Sequence, residues 1–182
     1  MTKTVFVTTG ATIPFLALLR QFVSSEVHTL LRGLGFQRLV VQYGPLLEQH
    51  DLQLYRQFMA AAAADSSNNN GLEVVAFDLK PNLTSDITDA DLVISHAGTG
   101  SILDALRQNK PLIAVVNTGL MDNHQLQVAS SFSANGNLLM CEPTLESLKA
   151  AIIESQSTKF VPLPAPNTAK LAEVIYQEGG LL

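Results

Sequence analysis

The stretch Asp91-Leu-Val-Ile-Ser-His96-Ala-Gly98-Thr99-Gly100-Ser101-Ile-Leu-Asp104 decides the fold. Leu92, Val93 and Ile94 are apolar at three consecutive positions, as expected of a strand covered on both faces in a parallel sheet. Gly98 and Gly100 then break the chain, and Ile102, Leu103, Ala105 and Leu106 follow at a spacing that lays a helix back on that sheet. A strand that turns through glycines into a helix leaves unpaired main-chain N–H groups at the helix start. Together with the helix dipole, these groups make an anion site. Without side chains on the glycines, a phosphate can come close to the main chain.

The same alternation extends outward in both directions. Strands are expected at 5–8, 38–43, 74–77, 111–116 and 138–141. One helix, with Pro14 in its first turn, is expected to carry Leu16, Leu19, Val23, Val27 and Leu30 toward Gly33 and Gly35. Further helices are expected at 46–63, 83–88, 122–135 and 145–155, with a C-terminal one at about 168–178 after the extended Pro162-Leu-Pro-Ala-Pro166. The polar run Asp65-Ser-Ser-Asn-Asn-Asn-Gly71 reads as a surface loop, not a domain boundary. The expectation is an α/β protein: one domain over residues 1–182, built on a single Rossmann-like, doubly wound parallel sheet that binds its ligand beyond the carboxyl ends of the strands.

Composition narrows the function. With 182 residues and 47% hydrophobic content, the chain can bury one good core. A formal net charge of -5 with 11 Lys plus Arg, and no basic run, argues against nucleic acid as a partner. Cys141 stands alone, so neither an intramolecular disulfide nor a thiolate metal site is expected, and a reducing compartment is. The amino terminus enters a strand without a secretory signal, and no apolar run approaches the roughly 20 residues of a membrane span. Membrane association is therefore expected only through a partner or a surface patch.

Two loops at the expected ligand edge are rich in glycine and hydroxyls, 8–12 and 95–101, and neither they nor 117–125 carries a Lys or Arg. A diphosphate there would be held by amides, hydroxyls and a helix terminus, without a metal. The competing reading is that Gly98 and Gly100 only make a tight turn. No Gly-Lys-Ser/Thr occurs and no full Gly-x-Gly-x-x-Gly, which weakens kinase, ATPase and dinucleotide-oxidoreductase readings. Asp122 and Gln125 suit a capping box, while Asn123 and His124 have atoms to grip sugar hydroxyls from the same rim. His96 reads either as a satisfied core histidine or as a catalytic-loop group that donates to a phosphate or orients its loop. Asp104 reads as a ribose acceptor or as an ordinary exposed carboxylate. Asp89-Ala-Asp91 mimics a metal motif but precedes its strand, at the wrong end of the sheet. The four histidines show no metal-ligand spacing, and no Gly-x-Ser-x-Gly is present.

At Asp91–Asp104, Asn109-Lys-Pro-Leu-Ile and Met121-Asp-Asn-His-Gln125, and at the opening Phe6-Val-Thr-Thr-Gly-Ala-Thr-Ile-Pro-Phe15, the chain resembles the catalytic subunits of the two-part UDP-GlcNAc transferases of asparagine-linked glycosylation. It is similar, more distantly, to the donor-binding half of the bacterial transferase that places GlcNAc on a lipid-linked peptidoglycan precursor. The resemblance implies the C-terminal half of a GT-B glycosyltransferase, running from about Val5 to Pro143 before it thins. It implies uracil against the backbone at Phe77 and Asp78, ribose on Asp104, and diphosphate between Gly98, Thr99, Gly100, Ser101 and Thr9, Gly10, Thr12. GlcNAc hydroxyls would lie on His124 and Gln125, with Asn123 on the rim; His124 is usually glutamine in the bacterial relative. Of the two histidines that read as catalytic candidates, His96 and His124, neither is implied to be the general base. That base and the acceptor would come from a separate, membrane-anchored subunit.

The reaction implied is an inverting, metal-independent transfer of the second GlcNAc to GlcNAc-diphosphodolichol, with UDP-GlcNAc as donor and no cofactor. It would take place at the cytosolic face of the endoplasmic reticulum. The alternatives are a non-catalytic nucleotide-sugar-binding regulatory subunit and a small Rossmann oxidoreductase.

Overall fold

The computed structural model describes residues 2–12, 15–45, 49–66, 71–116 and 123–165. Strands β1 (Thr4–Thr8), β2 (Arg38–Gln42), β3 (Glu73–Phe77), β4 (Leu92–Ser95), β5 (Leu112–Val115) and β6 (Leu139–Cys141) alternate with helices. The helices are α1 (Leu16–Gln21), α2 (Ser25–Gly33), α3 (Gln49–Ser66), α4 (Thr84–Asp89), α5 (Thr99–Arg107), α6 (Asn123–Ala134) and α7 (Leu145–Ser155). Among the described residues the strands form one sheet in the order β3-β2-β1-β4-β5-β6, with every neighbouring pair parallel. The order reverses between β1 and β4, so the crevice of this doubly wound topology opens where Thr8 and Ser95 lie in register.

The consecutive apolar residues of β4 serve two cores. Leu92 and Ile94 face one, with Val5, Val7, Leu39 and Val41 of the sheet and side chains of α1, α2, α3 and α7. Val93 faces the other, with Phe6, Val40, Leu112 and Ala114 and side chains of α4, α5 and α6. Full burial of a Leu, Ile or Phe side chain contributes about 1.5–3 kcal/mol, so β4, wholly buried, anchors both layers. Cys141 is free and buried, its thiol pushed up to about 12 by burial first and then by Glu142.

The long helix expected from Leu16 to Leu30 is two helices. Ser24 takes an extended conformation (φ −70°, ψ 125°) and its hydroxyl accepts the Glu26 amide, so a cap restarts the helix where the apolar pattern runs through. The break lets Leu18, Leu19 and Phe22 of the first segment and Val27 and Leu31 of the second all reach the core, which a straight rod would not allow. Of the five residues that suggested one helix, Leu16, Val23 and Leu30 are only half-buried. Two smaller corrections follow: α3 runs to Ser66, so Asp65 and Ser66 belong to a helix and not to the expected loop, and β2 ends at Gln42. The other expected strands and helices agree to within about two residues. Pro14, the remaining loop residues 67–70, Asp122 and the expected C-terminal helix at 168–178 lie outside the described residues.

His28 closes the α1–α2 corner: its ring Nε2 meets the Phe22 carbonyl at 2.8 Å in a buried position. Burial, and secondarily the Arg32 charge, hold its pKa below 6.5 against the Phe22 hydrogen bond, which acts in the opposite direction. A histidine held neutral by the fold favours folding above its unfolded pKa, and that contribution is lost as pH falls through the lower folded value. The thermal midpoint is expected to fall from about pH 7 to about pH 5, and His28→Gln, which keeps a donor but does not titrate, is expected to flatten part of that slope. An identical slope in the variant, measured by calorimetric scans across that range, would remove His28 from the account.

Candidate functional site

The carboxyl edge of the sheet is organised by one polar row. Phe77, Gln42, Thr8, Ser95 and Ala114 are register partners across β3, β2, β1, β4 and β5. Strand alternation turns this row to the same side as Phe6 and Val40, the side that α5 covers. Thr8, Gln42 and Ser95 are all buried. The Thr8 hydroxyl donates to Gln42 Oε1, and the Gln42 side-chain amide donates in turn to the Gly10 carbonyl at 3.3 Å. The Thr9 amide and hydroxyl both donate to the Gln42 carbonyl at 3.1 Å. Among the described residues the Ser95 hydroxyl finds no hydrogen-bond partner.

His96 follows β4 and its amide donates to the Thr8 carbonyl at 3.1 Å. Ala97 then takes a left-handed conformation (φ 63°) while wholly buried. A side chain pays of order 1 kcal/mol or more for that region, and the strained residue sits between the strand and the glycine turn. The reversal brings Gly98 against the imidazole: a Cβ on Gly98 would lie 2.3 Å from His96 Nε2. A Cβ on Gly10, whose φ is +93°, would lie 3.0 Å from the same nitrogen. The ring is thus wedged between the two glycine turns that the sequence marks as phosphate loops. Burial lowers its pKa, with the Thr8 main chain opposing, so it is neutral near pH 7; among the described residues the buried Nδ1 makes no well-aligned hydrogen bond.

Beyond the wedge, Gly98 caps α5 without any side-chain hydrogen bond, and no acidic residue occupies the first turn. The amides of Thr99, Gly100 and Ser101 have no acceptor within the helix, and the first intrahelical bond runs from Ile102 to the Gly98 carbonyl at 3.0 Å. Thr99 and Ser101 are half-buried and Gly100 is exposed, so this cluster opens to solvent. Thr9 is buried, Gly10 half-buried and Thr12 exposed on the facing turn. Asp104 is exposed about one turn along α5. Of the residues expected at the site, the structure brings Gly10 and Gly98 together around His96, with Thr9 beside Gly10 and with Thr99, Gly100 and Ser101 following Gly98 on α5.

At the β3 end, the Phe77 ring is covered on two sides, stacked on Phe6 at 6.5 Å and beneath the Lys80 ammonium at 3.8 Å. The Phe77 carbonyl accepts the Tyr43 amide at 3.0 Å, and the carboxylate of exposed Asp78 accepts the Leu79 amide at 2.7 Å. Asn123, His124 and Gln125 form the first turn of α6, beyond the end of β5. Gln42, on which the first glycine turn hangs, was missed; a polar residue closing an apolar strand was the available signal. Asp91 lies at the opposite edge, where its carboxylate accepts the Thr4 amide at 2.7 Å, so the Asp89-Ala-Asp91 run is remote from the glycine turns.

Comparison with known proteins gives a match to the glycosyltransferase family 28 C-terminal domain over residues 4–175. A protein of Saccharomyces cerevisiae named UDP-N-acetylglucosamine transferase subunit ALG13 is 40% identical over 195 residues, covering 96% of each chain. The NMR solution structure of ALG13 superposes with a TM-score of 0.69 at 36% identity, over 95% of this chain and 94% of that one. The crystal structure of Acinetobacter baumannii MurG, at 15% identity and a TM-score of 0.63, shares the fold over 87% of this chain and 42% of its own.

The wedge makes the two turn glycines unequal. Gly98 has an ordinary φ of −67°, so Gly98→Ala is conformationally allowed and fails only by collision with the ring. A loss of about 1–3 kcal/mol is expected in urea unfolding, with shifted His96 imidazole NMR signals. Gly100→Ala meets nothing within 4 Å and is expected to be neutral or slightly stabilising. Equal behaviour of the two variants would contradict the packing described.

Proposed function

Because this chain belongs to the glycosyltransferase family 28 C-terminal domain family, we propose that it is the UDP-GlcNAc-binding catalytic subunit of a two-part transferase. The reaction is addition of the second GlcNAc to GlcNAc-diphosphodolichol in building the asparagine-linked glycan precursor. The observation that carries this reading is the uncapped start of α5 facing the Thr9–Gly10 turn across His96. A diphosphate placed there meets the amides of Thr99, Gly100 and Ser101, with the hydroxyls of Thr9, Thr12, Thr99 and Ser101 in reach. The positive end of α5 supplies the field.

The remaining donor contacts follow the order of the strand ends. Uracil pairs with main-chain groups at Phe77 and Asp78, whose ring and carboxylate are already engaged. Asp104 accepts from the ribose, while His124 and Gln125, with Asn123 beside them, hold the GlcNAc. The acceptor hydroxyl attacks the anomeric carbon from the side opposite UDP, the configuration inverts, and the amides stabilise the negative charge gathering on the departing diphosphate. Fixed dipoles replace a cation in this scheme, so the reaction needs no metal. His96, neutral and wedged, spaces the two loops instead of exchanging a proton. The general base and the lipid acceptor belong to a membrane-anchored partner subunit, and the complex works at the cytosolic face of the endoplasmic reticulum. The word subunit in the name of the yeast relative supports this division, and no helix among the described residues is long and apolar enough to cross a membrane.

The test is reconstitution with the partner and assay of GlcNAc transfer to the chitobiose level. Gln125→Ala is expected to reduce turnover by about 100-fold, the scale of removing one transition-state donor, and Gly98→Ala to reduce it by a similar factor by pushing the His96 ring and the head of α5 apart. A chelator is expected to leave the rate unchanged, and the isolated chain to show little turnover. Undiminished transfer by both variants in the assembled complex would favour a regulatory subunit instead; robust turnover by the chain alone would end the division of labour.

A further inference from the structure

Gln42 lies outside the set of donor-binding residues, yet it touches three consecutive residues of the first glycine turn. Its carbonyl takes both the amide and the hydroxyl of Thr9, its Oε1 takes the Thr8 hydroxyl, and its Nε2 reaches the Gly10 carbonyl at 3.3 Å. The Gly10 amide lies 3.4 Å from the Thr8 hydroxyl, which closes the loop of contacts. Gly44 bounds the same carbonyl from another side: with φ +75°, a Cβ there would lie 2.8 Å from the Gly10 oxygen. The Gly10 peptide is thus gripped from β2 and pressed on its other side toward the His96 ring, which in turn abuts Gly98 at the head of α5.

We propose that Gln42 is a positioning residue for the donor site. Its side-chain amide holds Gly10 against His96, and through that ring it sets the gap between the first glycine turn and the amides of α5 that receive the diphosphate. The side chain is almost wholly buried and its two amide ends have different partners, the Thr8 hydroxyl at the end of β1 and the Gly10 carbonyl in the turn just past the ladder. A glutamine needed only for packing would be replaceable by an apolar side chain of similar volume. One that fixes a carbonyl is not, because the Gly10 oxygen then swings free or meets a like dipole. The amides and hydroxyls of the site carry no formal charge of their own, so their value to an anion depends on direction and distance.

This inference rests on the donor reading above for its ligand, but not for its mechanics. The experiment uses the full chain, alone and in the reconstituted complex, with UDP as probe. Gln42→Glu keeps an acceptor for Thr8 and sets a carboxylate against the Gly10 carbonyl; Gln42→Met keeps the volume and removes both hydrogen bonds. Either is expected to raise the UDP dissociation constant about tenfold, the worth of one hydrogen bond near 1.4 kcal/mol. Each is also expected to shift the His96 imidazole NMR signals and to raise KM for UDP-GlcNAc more than it lowers kcat. Val40→Ala, two residues earlier on the same strand face, is the comparison for lost packing; it is expected to lower stability while leaving the His96 signals and UDP affinity within about twofold. His96 signals unchanged in both Gln42 variants, or a Val40→Ala effect on them as large, would overturn the proposal. If the wild-type chain and complex fail to bind UDP, the donor reading falls, and the His96 response still decides whether Gln42 sets the gap.

Discussion

The imidazole of His96 lies between two glycine turns, with no room for a methyl group at Gly98 and little at Gly10. That contact fixes the spacing of the carboxyl edge. The two turns come from strands that neighbour each other at the point where the sheet reverses its winding, so nothing in the ladder itself dictates how far apart they stand. The ladder ends at Thr8 and Ser95; past them the main chain is held by the His96 amide on the Thr8 carbonyl and then by side-chain contacts. A rigid, planar, half-buried ring suits this place, because it cannot bend as a lysine or methionine would. Ala97, forced to a positive φ, is the local cost of presenting it.

Neutrality of that ring matters as much as its shape. Burial holds the pKa of His96 down, so the ring adds no positive charge near pH 7 and the uncapped end of α5 is left to supply a positive dipole there. Such a field falls away within about one helical turn. A lysine in the same loop would attract a phosphate over a wide range of positions, whereas amides reward only a narrow set. A site built without cations therefore requires its backbone to be placed accurately, and the polar row Gln42, Thr8 and Ser95 beneath the loops is where a parallel sheet can supply that placement.

Much of this was legible in the chain. Three apolar residues followed by His96-Ala-Gly98 and a helical pattern identified β4, its double burial and the turn into α5, because in a parallel sheet those features are local consequences of covering both faces. The α1–α2 corner was not legible, since Val23 and Val27 are four apart and keep the helical rhythm through a break that only Ser24 announces. Gln42 was hidden for a different reason: its role depends on register with Thr8, which strand composition does not encode. Phe77 does close β3 at the edge, but the stacking of its ring on Phe6 joins residues far apart in sequence, and strand composition does not announce it.

The polarity of the sheet also explains why similar residues mean different things at its two ends. Asp91 stands one residue before β4, and there its carboxylate meets the first free amide of β1, at Thr4, while its own amide donates to the Thr4 carbonyl. At an amino-terminal edge the strands expose N–H groups, and an acidic side chain is drawn into closing them. At the carboxyl edge the strands expose carbonyls, so donors are what the chain must bring: the Gln42 amide for Gly10, and the amide of His96 for Thr8. Helices that begin at this edge add their unpaired N–H groups to the same inventory. An edge provisioned with donors to satisfy its own carbonyls, and with helix starts that add more, has main-chain N–H groups left over at its rim.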